Sequence, residues 1–167
     1  MSVELPVAPV DALIRRHAGS LRVSAEAAEE LACHIQRRGA AVASEAAERA
    51  TREERKTLQP ADFDGLAAGA TGSVGEVVDP GLDTEPKPDA EPELPIAPVD
   101  RIARLDIDPE FRVATDARVV LAGALEAHAA NVAAAAAILA RHAGRRTIKA
   151  EDVEAYRALE AHFPGRG

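Results

Sequence analysis

The chain states one pattern twice. Glu4-Leu5-Pro6-Val7-Ala8-Pro9-Val10-Asp11 returns as Glu93-Leu94-Pro95-Ile96-Ala97-Pro98-Val99-Asp100. Arg55-Lys56-Thr57-Leu58-Gln59-Pro60-Ala61-Asp62-Phe63 returns as Arg145-Arg146-Thr147-Ile148-Lys149-Ala150-Glu151-Asp152-Val153. The offset is 89 residues at the front and 90 at the back, so one insertion lies between. Two copies are too few for a solenoid, which needs roughly three or more stacked units. They point to a fused pair.

A copy of about 65 to 75 residues is marginal as an independent core. Aromatic side chains are nearly absent, with three Phe, one Tyr and no Trp. Alanine dominates instead. Alanine-rich helices approach one another closely but bury little area per residue, so each half is expected to need the other for stability.

Each copy reads as a short, a long and a short helix joined by two tight loops. Pro9 suits a first helical turn, Val10, Leu13 and Ile14 recur at helical spacing, and Gly19 fits a helix stop. Ser24 is an N-cap for a long helix from about Ala25 to Glu53. Gly39 weakens that helix by about 1 kcal/mol against alanine and would permit a close helix crossing. Pro60 opens a third helix, short because Asp64-Gly65 and Gly69 interrupt it. The second copy repeats the plan. Pro98 starts a short helix, and 106–113 is a longer loop. Ala114 or Thr115 caps a long helix to about His142, and a fuller third helix runs from about Lys149 to His162. A long apolar-striped helix with no partner in its own copy must find one in the other. The expected fold is therefore all-α, an intramolecular pseudo-dimer that crosses its two long helices.

The charge of −8 is unevenly spread. Residues 1–66 carry a net −2, residues 67–92 a net −5 and residues 93–167 a net −1. Three segments follow: a first repeat at 1–66, an acidic Gly/Pro-rich linker at 67–92, and a second repeat at 93–167. The linker composition cannot bury enough apolar surface to offset ordering entropy, and Pro80, Pro86, Pro88 and Pro92 stiffen it locally. Near-neutral repeats weaken a nucleic-acid reading without excluding it.

No apolar run of about 18 residues stands out, so no membrane span is expected. No basic-then-apolar leader is read at the N-terminus. The single cysteine, Cys33, cannot form an internal disulfide, which suggests an intracellular protein. No phosphate-cradling glycine loop, nucleophile elbow or metal-spaced cluster is present, so neither enzyme activity, cofactor, metal nor small-molecule substrate is expected. Cys33-His34 lacks a second cysteine, and adjacent helical side chains diverge by roughly 100°. It is read as an inert, partly buried thiol. His17, His128 and His162 are read as surface or helix-end groups.

Taken in order, Leu5-Pro6-Val7-Ala8-Pro9-Val10, Arg22-Val23-Ser24 and Arg55-Lys56-Thr57 followed by Ala61-Asp62 resemble an archaeal histone. So do Leu94 to Val99, Arg112-Val113 and Arg145 to Asp152. The acidic, two-repeat form resembles the fused histones of salt-loving archaea. The resemblance covers nearly everything but the linker and the extreme C-terminus. It implies the histone fold with its handshake dimer, and double-stranded DNA wrapped on one face. Helix N-termini and loop N–H groups would bind phosphate, and arginines would enter the inward-facing minor groove.

In the handshake, the first loop of one repeat lies beside the second loop of the other. That would set Arg22 near Arg146 and Thr147, and Arg112 near Lys56 and Thr57. Arg15, Arg101 and Arg104 on the first helices would form a third contact. The same resemblance makes Arg55–Asp62 and Arg145–Asp152 structural salt bridges. It makes Leu139, His142 and Asp152 a surface for association between chains. The first repeat has Arg49 and Arg52 where the second has Leu139 and His142, and facing arginines repel. Only the second-repeat end is therefore expected to self-associate. A chromosome-associated, cytoplasmic location follows. The alternative is a histone-fold protein-interaction module, or a sparse regulator with weak DNA contact, favoured by the acidic linker and near-neutral repeats.

Overall fold

A computed structural model of the chain describes residues 3–64 and 94–162. The linker expected at 67–92 lies outside the described residues.

The first repeat starts with α1 (Val7–Ala18), which buries Val10, Leu13, Ile14 and Ala18 on one face. Gly19 ends it at φ 61, a left-handed conformation that costs glycine nothing. A two-residue strand β1 (Arg22–Val23) leads into α2 (Ala25–Arg52). The Ser24 hydroxyl accepts the Ala27 N–H at 3.2 Å and so caps α2. β2 (Thr57–Leu58) and a single 3-10 turn, Pro60–Phe63, complete the repeat. The second repeat comprises α3 (Ile96–Ala103), β3 (Arg112–Val113), α4 (Thr115–His142), β4 (Thr147–Ile148) and α5 (Ala150–His162). Ala114 caps α4 without a side-chain hydrogen bond.

The two long helices end alike. The Arg55 N–H donates to the Ala50 carbonyl at 2.8 Å, and the Arg145 N–H to Ala140 at 2.9 Å. These closures turn the chain sharply into β2 and β4. Gly144 takes the required positive φ of 71, whereas the first repeat holds Glu54 at φ 56.

Packing crosses between the repeats. α1 lies against α4, α3 against α2, and the 3-10 turn of the first repeat against α4, while α5 touches both long helices. α2 and α4 also pack on each other. The buried residues form one cluster running through both repeats, from Leu5 and Leu31 to Leu125 and Ile148. Neither repeat keeps its own core, which is why two marginal units suffice together. Gly39 sits at a tight point. A Cβ there would lie 2.7 Å from Ile102 Cγ2 and 3.0 Å from Leu125 Cδ1, so its weak helix propensity is exchanged for close approach.

Two expectations need correction. α4 is long and apolar enough to cross a membrane by length and composition, so the sequence does hold such a run. Its alanines supply the apolar character, and Ala129, Ala133, Ala136 and Ala140 are buried against the first repeat and α5. His128 is not a surface group. It is 1% exposed, in the middle of α4, because the crossing places α2 and α5 over it.

Candidate nucleic-acid interface

Two parallel strand pairs join the repeats end to end. β1 pairs with β4, setting Arg22 opposite Thr147 and Val23 opposite Ile148. β2 pairs with β3, setting Thr57 opposite Arg112 and Leu58 opposite Val113. The Arg22 N–H donates to Arg146 O at 2.9 Å and the Arg112 N–H to Lys56 O at 2.8 Å. Val23, Val113, Leu58 and Ile148 point inward and anchor the pairs in the core. Arg22 and Arg112, adjacent to Val23 and Val113, are exposed, as the two-residue period of a strand requires; Lys56 and Arg146, just before β2 and β4, are exposed as well. The fold thus gathers Arg22, Arg146 and Thr147 at one end and Arg112, Lys56 and Thr57 at the other.

Each loop is pinned by a forked ion pair. Arg55 reaches both oxygens of Asp62, at 2.8 and 3.0 Å. Arg145 reaches both oxygens of Asp152, at 2.5 and 2.7 Å. The carboxylates also accept the N–H of Gln59 and of Lys149. The same guanidiniums donate to the carbonyls of Thr57 and Thr147, so each fork holds the strand beside it. The Arg55 hydrogen bond holds the Asp62 carboxyl below the usual range against the opposing effect of burial. At Asp152 burial alone would raise the pKa, and the Arg145 fork with the Lys149 N–H outweighs it.

The two ends differ electrostatically, which the repeat pattern did not reveal. Lys56 forms an ion pair with Glu110, and that carboxylate, with Asp108 behind it, raises the lysine pKa. Among the described residues, no carboxylate lies within ion-pair distance of Arg22 or Arg146. The only signal in the sequence was the longer, acidic loop at 106–113. The first-helix arginines are all engaged: Arg15 with Asp11 at 2.5 Å, Arg101 with Glu4 at 3.2 Å, and Arg104 with Asp100 at 3.1 Å.

The residues read as an association surface differ in exposure. Leu139 is partly exposed and His142 exposed, but Asp152 is 2% exposed and committed to Arg145. Ile138 beside them is 47% exposed, an apolar residue that the sequence pattern did not single out. At the opposite end Arg49 is not a free charge. It donates to the carbonyls of Asp62 at 3.2 Å and Asp64 at 2.5 Å, and Arg52 alone stays outward, 4.0 Å from Glu48.

Residues 3–64 and 92–155 match the family model for the histone-like transcription factor (CBF/NF-Y) and archaeal histone. The chain belongs to this family. It holds two copies of the histone fold, in a family of DNA-binding chromosomal proteins. The archaeal histone HAN1 of Thermococcus zilligii is 54% identical over 61 residues, which are 36% of this chain and 88% of that protein. One copy of this two-repeat histone therefore corresponds to nearly a whole relative. The histone of Methanopyrus kandleri has a similar structure, with TM-score 0.66 and 25% identity, covering 90% of this chain and 91% of that one. The two loop ends of this two-repeat histone are not electrostatically equivalent. Its paired lysine and first-helix arginines leave the Arg22–Arg146 end as the more cationic.

Proposed function

We propose that this histone bends and compacts double-stranded DNA through phosphate and minor-groove contacts, largely without reading base sequence. The observation that carries the reading is the pairing of exposed Arg22 with Arg146-Thr147, and of Arg112 with Lys56-Thr57, at the two ends of one rigid handshake. Two cationic loop pairs on a fixed spacer can grip a duplex at two points and hold it curved. Arg15, Arg101 and Arg104 would exchange their carboxylate partners for phosphate on the surface between. The protein then works on the chromosome in the cytoplasm.

A fluorescent random duplex of about 60 bp, titrated from low to multimolar KCl with folding followed by circular dichroism, tests this. Affinity is expected to fall as salt rises wherever the chain stays folded. Arg22→Ala with Arg146→Ala should weaken binding by roughly 10- to 100-fold and shallow the salt slope by about two. Lys56→Ala should cost less than about 3-fold, since Glu110 already offsets its charge, and Glu110→Gln should tighten binding. A folded chain that ignores DNA at every salt would end this reading. The neutralised Lys56 end favours a second one, a sparse regulator or protein-interaction module with weak DNA contact. That reading predicts little loss in the arginine double variant.

Association between chains is proposed at the second-repeat end, through Leu139 and His142 with exposed Ile138 beside them. Arg52 opposes the same contact at the first-repeat end. The result would be a closed two-chain particle. Leu139→Arg should reduce the particle to single chains in sedimentation on DNA. Extended multimers that persist in that variant would exclude the arrangement.

A further inference from the structure

At the crossing of the long helices, His34 of α2 and His128 of α4 meet inside the core. Their Nε2 atoms are 2.8 Å apart, with ring centroids 5.0 Å apart and planes tilted by 30°. The two are 6% and 1% exposed. They are not symmetry mates of the repeat, since His34 aligns with Ala124 and His128 with Arg38. Duplication therefore does not account for the pair. Glu160 on the last turns of α5 brings a carboxylate oxygen into the same space, all three candidate ligand atoms lying within 4.8 Å of one another.

We propose that His34, His128 and Glu160 form a binding site for a divalent transition-metal ion of the zinc class. Two imidazole nitrogens and one carboxylate oxygen are the donor set such an ion takes, with a fourth position left for water. Tetrahedral coordination at about 2.0–2.1 Å sets the two nitrogens roughly 3.3 Å apart, so the rings need to part by about half an ångström. Burial, then the charges of Arg157, Arg38 and Arg37, lowers the pKa of His34 to about 4, and burial, then Arg38 and His34, lowers that of His128 to about 3. Both rings are neutral at pH 7, and a metal needs the neutral ring. The Nε2 proton now shared between them would move to Nδ1 of its own ring, leaving two lone pairs aimed at the ion. Glu160 is held only loosely, 3.9 Å from Arg38, and can turn inward.

The ion would join three elements from both repeats: α2 of the first, α4 and α5 of the second. α5 is already held over α2 by the Arg157–Glu30 pair at 3.4 Å. Metal would therefore lock the handshake and fix α5 without touching the DNA-facing loops. The neighbouring Cys33 is partly exposed and lies outside the convergent set.

The test uses the full chain, stripped with chelator and titrated with Zn²⁺, and with Co²⁺ as a spectroscopic probe. One equivalent is expected to bind with a dissociation constant near or below micromolar. At roughly 100 times that concentration the Tm should rise by about 5–10 °C. Co²⁺ should give the intense visible bands of four-coordination without a thiolate charge-transfer band. Glu160→Gln lies at the surface of α5 and spares the core, and it should weaken binding at least roughly tenfold. His128→Gln should abolish it, while His142→Ala should leave it unchanged. No stoichiometric binding and no Tm shift would overturn the proposal. So would binding that survives both His128→Gln and Glu160→Gln, which would assign the ion to surface histidines, or a thiolate band, which would assign it to Cys33.

Discussion

Asp152→Ala is expected to destabilise the protein by roughly 2–4 kcal/mol, a loss of about 10 °C in Tm. The carboxylate is almost fully buried and accepts two hydrogen bonds from Arg145 and one from the Lys149 N–H. Removing it orphans the Lys149 N–H and leaves Arg145 with the Thr147 carbonyl at 3.2 Å and the exposed Glu151 carboxylate at 3.5 Å. Charge-assisted bonds of this geometry are worth more than neutral ones, though Arg145 keeps partial access to water, which lowers the cost below that of a fully enclosed pair. The damage should extend to function. β4 begins at Thr147, directly after Arg146, so a slack fork lets that cationic end wander and should also weaken DNA binding. Asp62→Ala is expected to act in the same direction at the other end. Thermal melts of the two variants decide the matter; a Tm within about 2 °C of the parent would mean the forks merely decorate the loops.

Acidification should unfold this chain earlier than its carboxylates alone would dictate. His34 and His128 have folded-state pKa values of about 4 and about 3, against about 6.5 when unfolded. Above pH 6.5 both states hold the rings neutral, and the pair contributes no pH dependence. Below it the unfolded chain binds protons that the folded chain refuses, so stability falls as pH falls. The groups facing the pair make the refusal stronger: Arg37 and Arg38 from α2, and Arg157 from α5, are partly countered by Glu160. The cost should reach roughly 2–5 kcal/mol by pH 4.5. The two aspartates act later. Their lowered pKa values give stability that is complete above the ordinary carboxylate range and is lost only as pH drops through it. Tm measured from pH 7.5 to 4.5 should therefore decline with uptake of about two protons, and His128→Gln should remove about half of that slope. A profile flat down to pH 4.5 would show that the rings titrate freely.

The order of elements was legible in the chain because it is written locally. Ser24 caps α2, Gly19 and Gly144 stop their helices, and Val10, Leu13 and Ile14 mark one face, each by short-range geometry. The duplication then supplied the pairing rule. A stripe that has no partner within its own copy must meet the other copy, and the resemblance to archaeal histones implied Arg22 beside Thr147. The forked pairs were legible too, through the same resemblance, with a seven-residue spacing that occurs twice.

What depended on contacts distant in sequence was not legible. His128 has no histidine counterpart in the first copy and sits among alanines, so only the helix crossing brings it to His34, 94 positions away. The pairing of Lys56 with Glu110 spans 54 positions and changes the charge of one loop end without changing its residues. Arg49 looked like a repelling surface charge until the carbonyls of the 3-10 turn drew it back. The sequence by itself determined two short–long–short helical repeats that must pair, because periodicity, capping and repetition are properties of the chain, and its resemblance to archaeal histones supplied which loops meet. Only the tertiary structure decided which charges remain free and which polar groups share the core, because pairing and burial depend on distances that the chain sets only when folded.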